Sequence, residues 1–282
     1  IFVAHNASFD MGFIEAAYGR EGLGSYTNGV IDTLELSRAI NKDFKKHGLN
    51  ILAKKYNVEL TQHHRAIYDA EATAYIFIKM LSQIRKLSID NHINEKLADS
   101  DSYKRAMPTH VTLLVQNQEG LKNLFKIVSA SLTDHFYKTP RIRKQVLEKY
   151  RSGILIGSAC DSGEVFTTMM QKSYDQAKKV AGFYDYLEIF PKALYSRLLD
   201  REIVRDEKTL EEIITNIITL GDELDKPVVA TGNVHYLDES DKLCRDILVK
   251  SNPGNPLSRG RLPDAHFRTT DEMLEGFAFL DA

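Results

Sequence analysis

Residues 1–10 read Ile1-Phe2-Val3-Ala4-His5-Asn6-Ala7-Ser8-Phe9-Asp10, and residues 64–69 read His64-Arg65-Ala66-Ile67-Tyr68-Asp69. The first stretch opens on a short apolar run, as a buried strand does, and passes into helical spacing of apolar residues at Phe13, Ile14 and Ala17. Asp10 therefore stands near a helix start. The second stretch leads into a stripe of Ile67, Ala70, Ala74, Phe77, Leu81 and Ile84, so Asp69 also opens a helix. A carboxylate at a helix start suits a divalent cation, because backbone N–H groups fix it while its remaining lone pairs stay free. Two-metal cleavage of a phosphodiester needs several such carboxylates and a base near neutral pH to deprotonate the attacking water, and His64 is the candidate base. Its spacing from Asp69 puts the two on different helix faces, which assigns His64 to the lead-in loop. Taken singly, Asp10 reads as a helix N-cap and Asp69 as a first-turn acid. Their combination with His64 is what points to chemistry; His5 and His63 read as loop or surface histidines.

Working outward, the chain turns polar after residue 86, where Ser88, Asp90, Asn91, Asn94, Asp99, Ser100 and Asp101 break the apolar periodicity. This predicts a domain over 1–86, a linker over 87–101 and a second domain over 102–282. In the second domain, strand-like runs at 110–115, 153–159, 186–190 and 228–231 alternate with helical ones, the pattern of a largely parallel α/β sheet or barrel. The clearest helix carries Leu210, Ile213, Ile214, Ile217, Ile218 and Leu224 on one face. A closed βα barrel takes about 250 residues, so this domain reads as incomplete. Ile1 opens directly on the strand-like run, so the chain reads as truncated there as well.

The charged share of 27% and apolar share of 43% are those of a soluble globular protein, and no run approaches the roughly 20 apolar residues of a membrane span. A cytoplasmic protein is expected. Two cysteines cannot form a disulfide framework, so any special role for Cys160 or Cys244 is chemical. A net charge of −2 argues against a chain held on nucleic acid by bulk electrostatics. It hides two basic stretches, 38–55 and 138–151, each with six Lys or Arg against one acid. Such runs are commonly solvated helix faces; the first could also follow a phosphate backbone.

Three potential metal ligands in the second domain lie beside strand-like runs: His110 before 111–115, Cys160 after 153–159, and His235 after 228–231. Function in parallel α/β folds gathers at the carboxyl ends of strands, which suits Cys160 and His235 and leaves His110 at the wrong end. Imidazole and thiolate together suit Zn2+, and tolerate Mn2+ or Fe2+. Glu164 reads as a first-turn acid and Asp161 as its cap.

Residues 3–10 and 64–69 resemble the second and third motifs of the DEDDh family of 3'-to-5' exonucleases, with Arg65 where the tyrosine variant would carry its tyrosine. The family's first motif, Asp-x-Glu on the opening strand, would precede Ile1 and is not in the chain. This resemblance implies an α/β, RNase H-like domain, two Mg2+ or Mn2+ ions with Asp10 and Asp69 as ligands, and His64 as base. Asn6 and Phe9 are the candidate DNA contacts. Residues 105–114, 157–161 and 230–236 resemble the PHP domain of PolC-type DNA polymerase III, in which the exonuclease is inserted within the PHP domain. That implies part of a distorted (β/α) barrel holding Zn2+ or Mn2+ on His110, Cys160 and His235. Asn233 stands where metal-rich relatives carry Asp, and a neutral amide is a poorer ligand. The combined resemblance implies a fragment of a replicative DNA-directed DNA polymerase with a proofreading exonuclease. Its polymerase site lies outside this segment, its isolated activity is slight or nil, and its partners are a DNA 3' end, deoxynucleotides and replisome subunits such as the sliding clamp. Other readings are a stand-alone exonuclease, a PHP phosphoesterase or a non-catalytic replisome scaffold.

Overall fold

The computed structural model describes residues 1–24, 26–60, 66–86, 104, 106–252, 254, 256–258 and 260–281, with the side chains at 8, 9, 86, 256 and 281 outside that description. His64 and the expected 87–101 linker lie outside the described residues. Two compact units form. One comprises Ile1–Ile14, Tyr26–Pro108 and Val115–Ile154, the other Glu15–Ser25, Thr109–Leu114 and Leu155–Ala282.

In the first unit, β1 (Phe2–Ala4) pairs in parallel with β2 (Val30–Asp32), with Phe2 opposite Val30 and Ala4 opposite Asp32. Parallel neighbours need a crossover, and the intervening chain carries α1 (Ser8–Arg20). Beyond β2, α2 (Thr33–Ile40), α3 (Leu49–Tyr56) and α4 (Ala66–Lys86) bury Ile40, Leu52, Ala53, Ile76, Met80 and Ile84 in one core. The buried face of α4 differs from the predicted stripe. Ala72, Thr73, Ile76, Met80 and Ile84 point inward, while Ile67 is 73% exposed and Leu81 37%. The sequence of α4 is apolar on more than one face, so two stripes satisfy helical periodicity, and packing against α2 and α3 selects between them. The end of α3 is closed by Asn57 in the left-handed region (φ 48°) and by Lys79 of α4, whose Nζ donates to the carbonyls of Tyr56 and Asn57.

Residues 115–154 contribute α5 (Gln118–Leu132) and α6 (Lys144–Lys149). Asn117 caps α5, its side chain accepting the Gly120 N–H at 2.9 Å. Gly120 and Gly153 bring their backbones so close that a Cβ on Gly120 would run into the Gly153 carbonyl. The basic stretch after residue 138 is partly engaged with its own aromatics. Lys138 and Arg141 lie over the Tyr137 ring, and Lys126 and Lys149 over that of Tyr150.

The remaining strands are β3 (Thr112–Val115), β4 (Ile154–Gly157), β5 (Leu187–Ile189) and β6 (Val228–Ala230). β5 and β6 are parallel, and a parallel bridge between Gly157 and Tyr186 joins the end of β4 to β5. β3 pairs with β4, and its direction departs from the parallel expectation. The Gln116 N–H reaches the Gly153 carbonyl and the His110 N–H reaches that of Ser162, so β3 runs opposite to β4. In the second unit, α7 (Glu164–Gln171) and α8 (Tyr174–Ala181) pack on each other, α9 (Ser196–Asp200) follows β5, and α10 (Glu207–Leu224) packs on α7, α8, β5 and β6; α11 (Lys242–Lys250) and α12 (Thr270–Glu275) come after β6. α10 buries Leu210, Ile213, Ile214 and Ile217 as its spacing predicts. Tyr195 stacks between Phe166 and Phe190, at ring separations of 4.9 and 5.6 Å, and its hydroxyl oxygen accepts the Phe190 N–H. Lys226 donates to the carbonyls of Ala181, Gly182 and Tyr184, satisfying the C-terminal end of α8. Among the described residues no helix is long and apolar enough to cross a membrane.

α10 starts at Asp206, whose Oδ1 accepts the Thr209 N–H at 2.8 Å and its hydroxyl at 2.7 Å. These bonds, with Arg205, hold the carboxyl at about 2. Replacing Asp206 by alanine is expected to lower unfolding free energy by about 1 kcal/mol at neutral pH, read by urea denaturation. Because the folded-state value is depressed, the stabilisation is complete above the unfolded value of about 4 and fades as pH falls toward 2. The gap between parent and variant should close over that interval; a constant gap would rule out the charged cap.

Candidate functional site

Two sequence-predicted sites fall in different units. In the first unit, the turn 5–7 leaves β1 with Asn6 in the left-handed region (φ 62°). What holds it is a residue that the sequence reading passed over. Asp32, at the end of β2, accepts the N–H groups of Asn6 (2.9 Å), Ala7 (3.1 Å) and Leu34 (2.8 Å). It caps α2 and pins the adjacent turn with the same carboxylate. The signal was present, since Asp before Thr-Leu at a strand end is an N-cap pattern. His5 is half-buried rather than a plain surface residue, its Nδ1 lying 3.0 Å from Thr33 Oγ1, which donates to the Ala4 carbonyl.

This turn delivers Asp10 to the first turn of α1 as expected, and Asp69 lies in the first turn of α4. Burial pushes the Asp10 carboxyl above the ordinary range, its own backbone N–H opposes this, and the Asp32 charge adds to it. Burial pushes the His5 imidazole down, while Asp32 and Asp69 pull it up. Asp10 and Asp32 thus repel each other, and Asp32 and Asp69 both act on His5. Among the described residues these side chains do not converge as a metal site. Asn6 is exposed, and the Phe9 side chain and His64 lie outside the described residues. Tyr68, next to Asp69, lines a 420 Å³ cleft with Tyr75, Glu71 and Lys79.

In the second unit, the reversed direction of β3 resolves the odd position of His110. The start of β3 lies beside the end of β4, where Cys160 follows, and His110 Nδ1 stands 3.1 Å from Cys160 Sγ. The chain turns over 160–163, with the Gly163 N–H on the Cys160 carbonyl at 2.7 Å, so the bridge from His110 to Gly163 is locally parallel. A nitrogen and a sulfur donor this close are slightly nearer than the ~3.6 Å that tetrahedral zinc bond lengths imply. The pair fits a borderline-soft cation after a small adjustment. Burial raises the Cys160 thiol above its usual range, the Ser162 N–H opposes this, and Asp161 adds to it. Ligation would therefore release a proton. Asp161 does not cap α7, whose N-cap is Gly163; it pairs instead with Arg197 at 3.2 Å. Glu164 is the first-turn acid expected, and its carboxylate accepts the Tyr184 hydroxyl at 2.9 Å. His235 follows β6 after Asn233, which is left-handed at φ 43°. Partial burial, and then Arg245, lower its imidazole. Among the described residues no group of three or more His, Cys, Asp or Glu side chains converges as a metal site, so His235 does not complete the His110–Cys160 pair in this structure.

The chain belongs to the PHP-domain family: the family model described as PHP domain matches residues 42–196, more than half its length. The model described as Exonuclease matches residues 1–77, overlapping the first over 42–77. The fold class is α/β, with RNase H-like exonuclease sequence leading into PHP sequence. The chain is similar to the DNA polymerase III PolC-type of Staphylococcus epidermidis and to that of Staphylococcus aureus. Each is 64% identical over 282 residues, covering 99% of this chain and 20% of the relative. The chain spans about a fifth of the length of the curated relatives it matches.

Replacing Asp32 by asparagine keeps an acceptor for the turn and removes the charge. The Asp10 carboxyl is then expected to titrate lower, yet still above its ordinary range because burial remains, and His5 to titrate lower as well. Carboxyl and imidazole chemical shifts followed with pH test this; an unmoved Asp10 midpoint would separate the two carboxylates. Asp32→Ala should also destabilise the chain by about 2 kcal/mol, since it strands three backbone donors.

Proposed function

We propose that this chain is a segment of a replicative DNA polymerase of the PolC type, carrying part of its proofreading 3'-to-5' exonuclease and part of its PHP domain. One observation carries the reading: exonuclease and PHP matches follow each other in one chain that is 64% identical to PolC-type polymerases along 99% of its length. The substrate is a DNA 3' end, frayed or single-stranded, with Asn6 and Phe9 as contacts. The parent enzyme also takes deoxynucleotides and works with replisome subunits such as the sliding clamp, in the cytoplasm. The exonuclease part is assigned to 1–86 and the PHP part to 102–282, with 87–101 between them.

In the exonuclease part, Asp10 and Asp69 would hold the divalent ions, Mg2+ or Mn2+, which when bound supply charge for the leaving and attacking oxygens of the phosphodiester. The first-turn position of both carboxylates and the raised Asp10 carboxyl support this. His64 takes the proton of the attacking water. Asp32 and Thr33 orient the turn that leads to Asp10. In the PHP part, His110 and Cys160 would hold Zn2+ or Mn2+, with His235 as a third ligand after a shift of its loop. A structural role for that metal is favoured over phosphoesterase chemistry, because Asn233 brings a neutral amide to the ligand set.

The test is excision of a mismatched 3' nucleotide by the polymerase that carries this segment. Asp10→Asn and His64→Gln are each expected to slow excision ~100-fold or more while matched primers are extended at the parent rate. Excision at the parent rate in both variants would remove the proofreading assignment.

A further inference from the structure

We propose that Glu188 is a positioning residue for Cys160: its buried carboxylate locks the turn that presents the thiol and ties that turn to the segment leaving β6. The inference rests on reading His110 and Cys160 as a ligand pair. Glu188 sits in β5 and is 8% exposed, between Leu187 and Ile189, which are also buried. A leucine would fill such a place, and a buried carboxyl costs stability unless hydrogen bonds compensate it. Here the bonds are specific. Glu188 Oε1 accepts the Ala159 N–H at 3.1 Å, and Oε2 accepts the Thr231 hydroxyl at 3.4 Å. In return the Glu188 N–H donates to Ser158 Oγ at 2.8 Å. Residues 158–159 at the end of β4 are thereby clamped from both sides of one glutamate, and the end of β6 is bound to the same group.

The clamp falls where the backbone needs it. Ala159, immediately before Cys160, is left-handed at φ 59°, a conformation that costs a residue with a Cβ about 1–2 kcal/mol. Such a residue persists only where its surroundings over-determine it. Gly157 has been left without a side chain: a Cβ there would run into the Tyr186 ring and Glu188 Oε1. The space beside the turn is thus reserved for the carboxylate. Cys160 Sγ then comes to 3.1 Å from His110 Nδ1, and Thr231 stands four residues before His235. Glu188 is not itself a ligand in this arrangement; it acts through the geometry of the residues that are.

The test uses the 282-residue chain with Cys244→Ser, which leaves Cys160 as its one thiol. Two readings are taken: the rate at which a disulfide reagent labels Cys160 under native conditions, and the thiolate-to-cobalt absorption on addition of Co2+. Glu188→Ala is expected to speed labelling about tenfold or more and to abolish the absorption. Glu188→Gln should stay within about twofold of the parent and keep the band, because an amide can accept from Ala159 and donate to Thr231. Thr231→Val loosens one arm alone and should label at an intermediate rate, which keeps the test decisive if Glu188→Ala does not fold. Labelling at the parent rate in each folded member of the Glu188→Ala and Thr231→Val pair overturns the proposal. Absence of the cobalt band from the parent, with labelling rates still separated, would sink the metal-site reading and leave the positioning role standing.

Discussion

The Asp32 carboxylate accepts backbone N–H groups from two elements at once, Asn6 and Ala7 on the turn after β1 and Leu34 at the start of α2. Because β1 and β2 are parallel neighbours, with Ala4 opposite Asp32, the end of one strand faces the end of the other. A carboxylate placed there is within reach of the turn without any long side chain. The cost is electrostatic, since Asp32 then stands close enough to Asp10 to make ionisation of the latter harder. Structural anchoring of the turn and the added rise in the Asp10 carboxyl come from the same negative charge.

The second unit repeats the device with different residues. Glu188 reaches from a central strand to the ends of its two neighbours, and Ala159 adopts a backbone conformation that needs such support. In both places a short acidic side chain at or near a strand end substitutes for sheet hydrogen bonds where the strands have already diverged. Turns are costly to order, and these carboxylates confine two of them through backbone hydrogen bonds.

Sequence reading reached the helices well where one face is clearly apolar, as in α10, and chose the wrong stripe in α4, whose apolar residues surround the axis. It singled out Asp10, Asp69, His110 and Cys160 because each sits in a recognisable run of neighbours. It missed Glu188, whose partners lie 29 and 43 positions away, and for Asp32 the local N-cap pattern shows only Leu34, whereas the turn it pins lies 25 and 26 positions away, outside any local window. The His110 position looked wrong because alternation of strands and helices implies parallel strands, and it says nothing of one strand that reverses. Only the pairing of 110 with 162 and 116 with 153 shows that the beginning of β3 and the end of β4 meet.

The backbone contact between Gly120 and Gly153 has a consequence for how this family can vary in length. With the first turn of α5 seated on the residue that enters β4, and Asn117 capping that helix beside it, neither element can slide along the other by a fraction of a turn. Insertions and deletions between residues 120 and 153 must therefore be absorbed in the connection over 133–143. That connection holds no helix or strand, and its lengthening leaves both anchors in register. A chain grafted there would hang from a fixed hinge, whereas one residue added next to either glycine would uncouple the helix from the sheet.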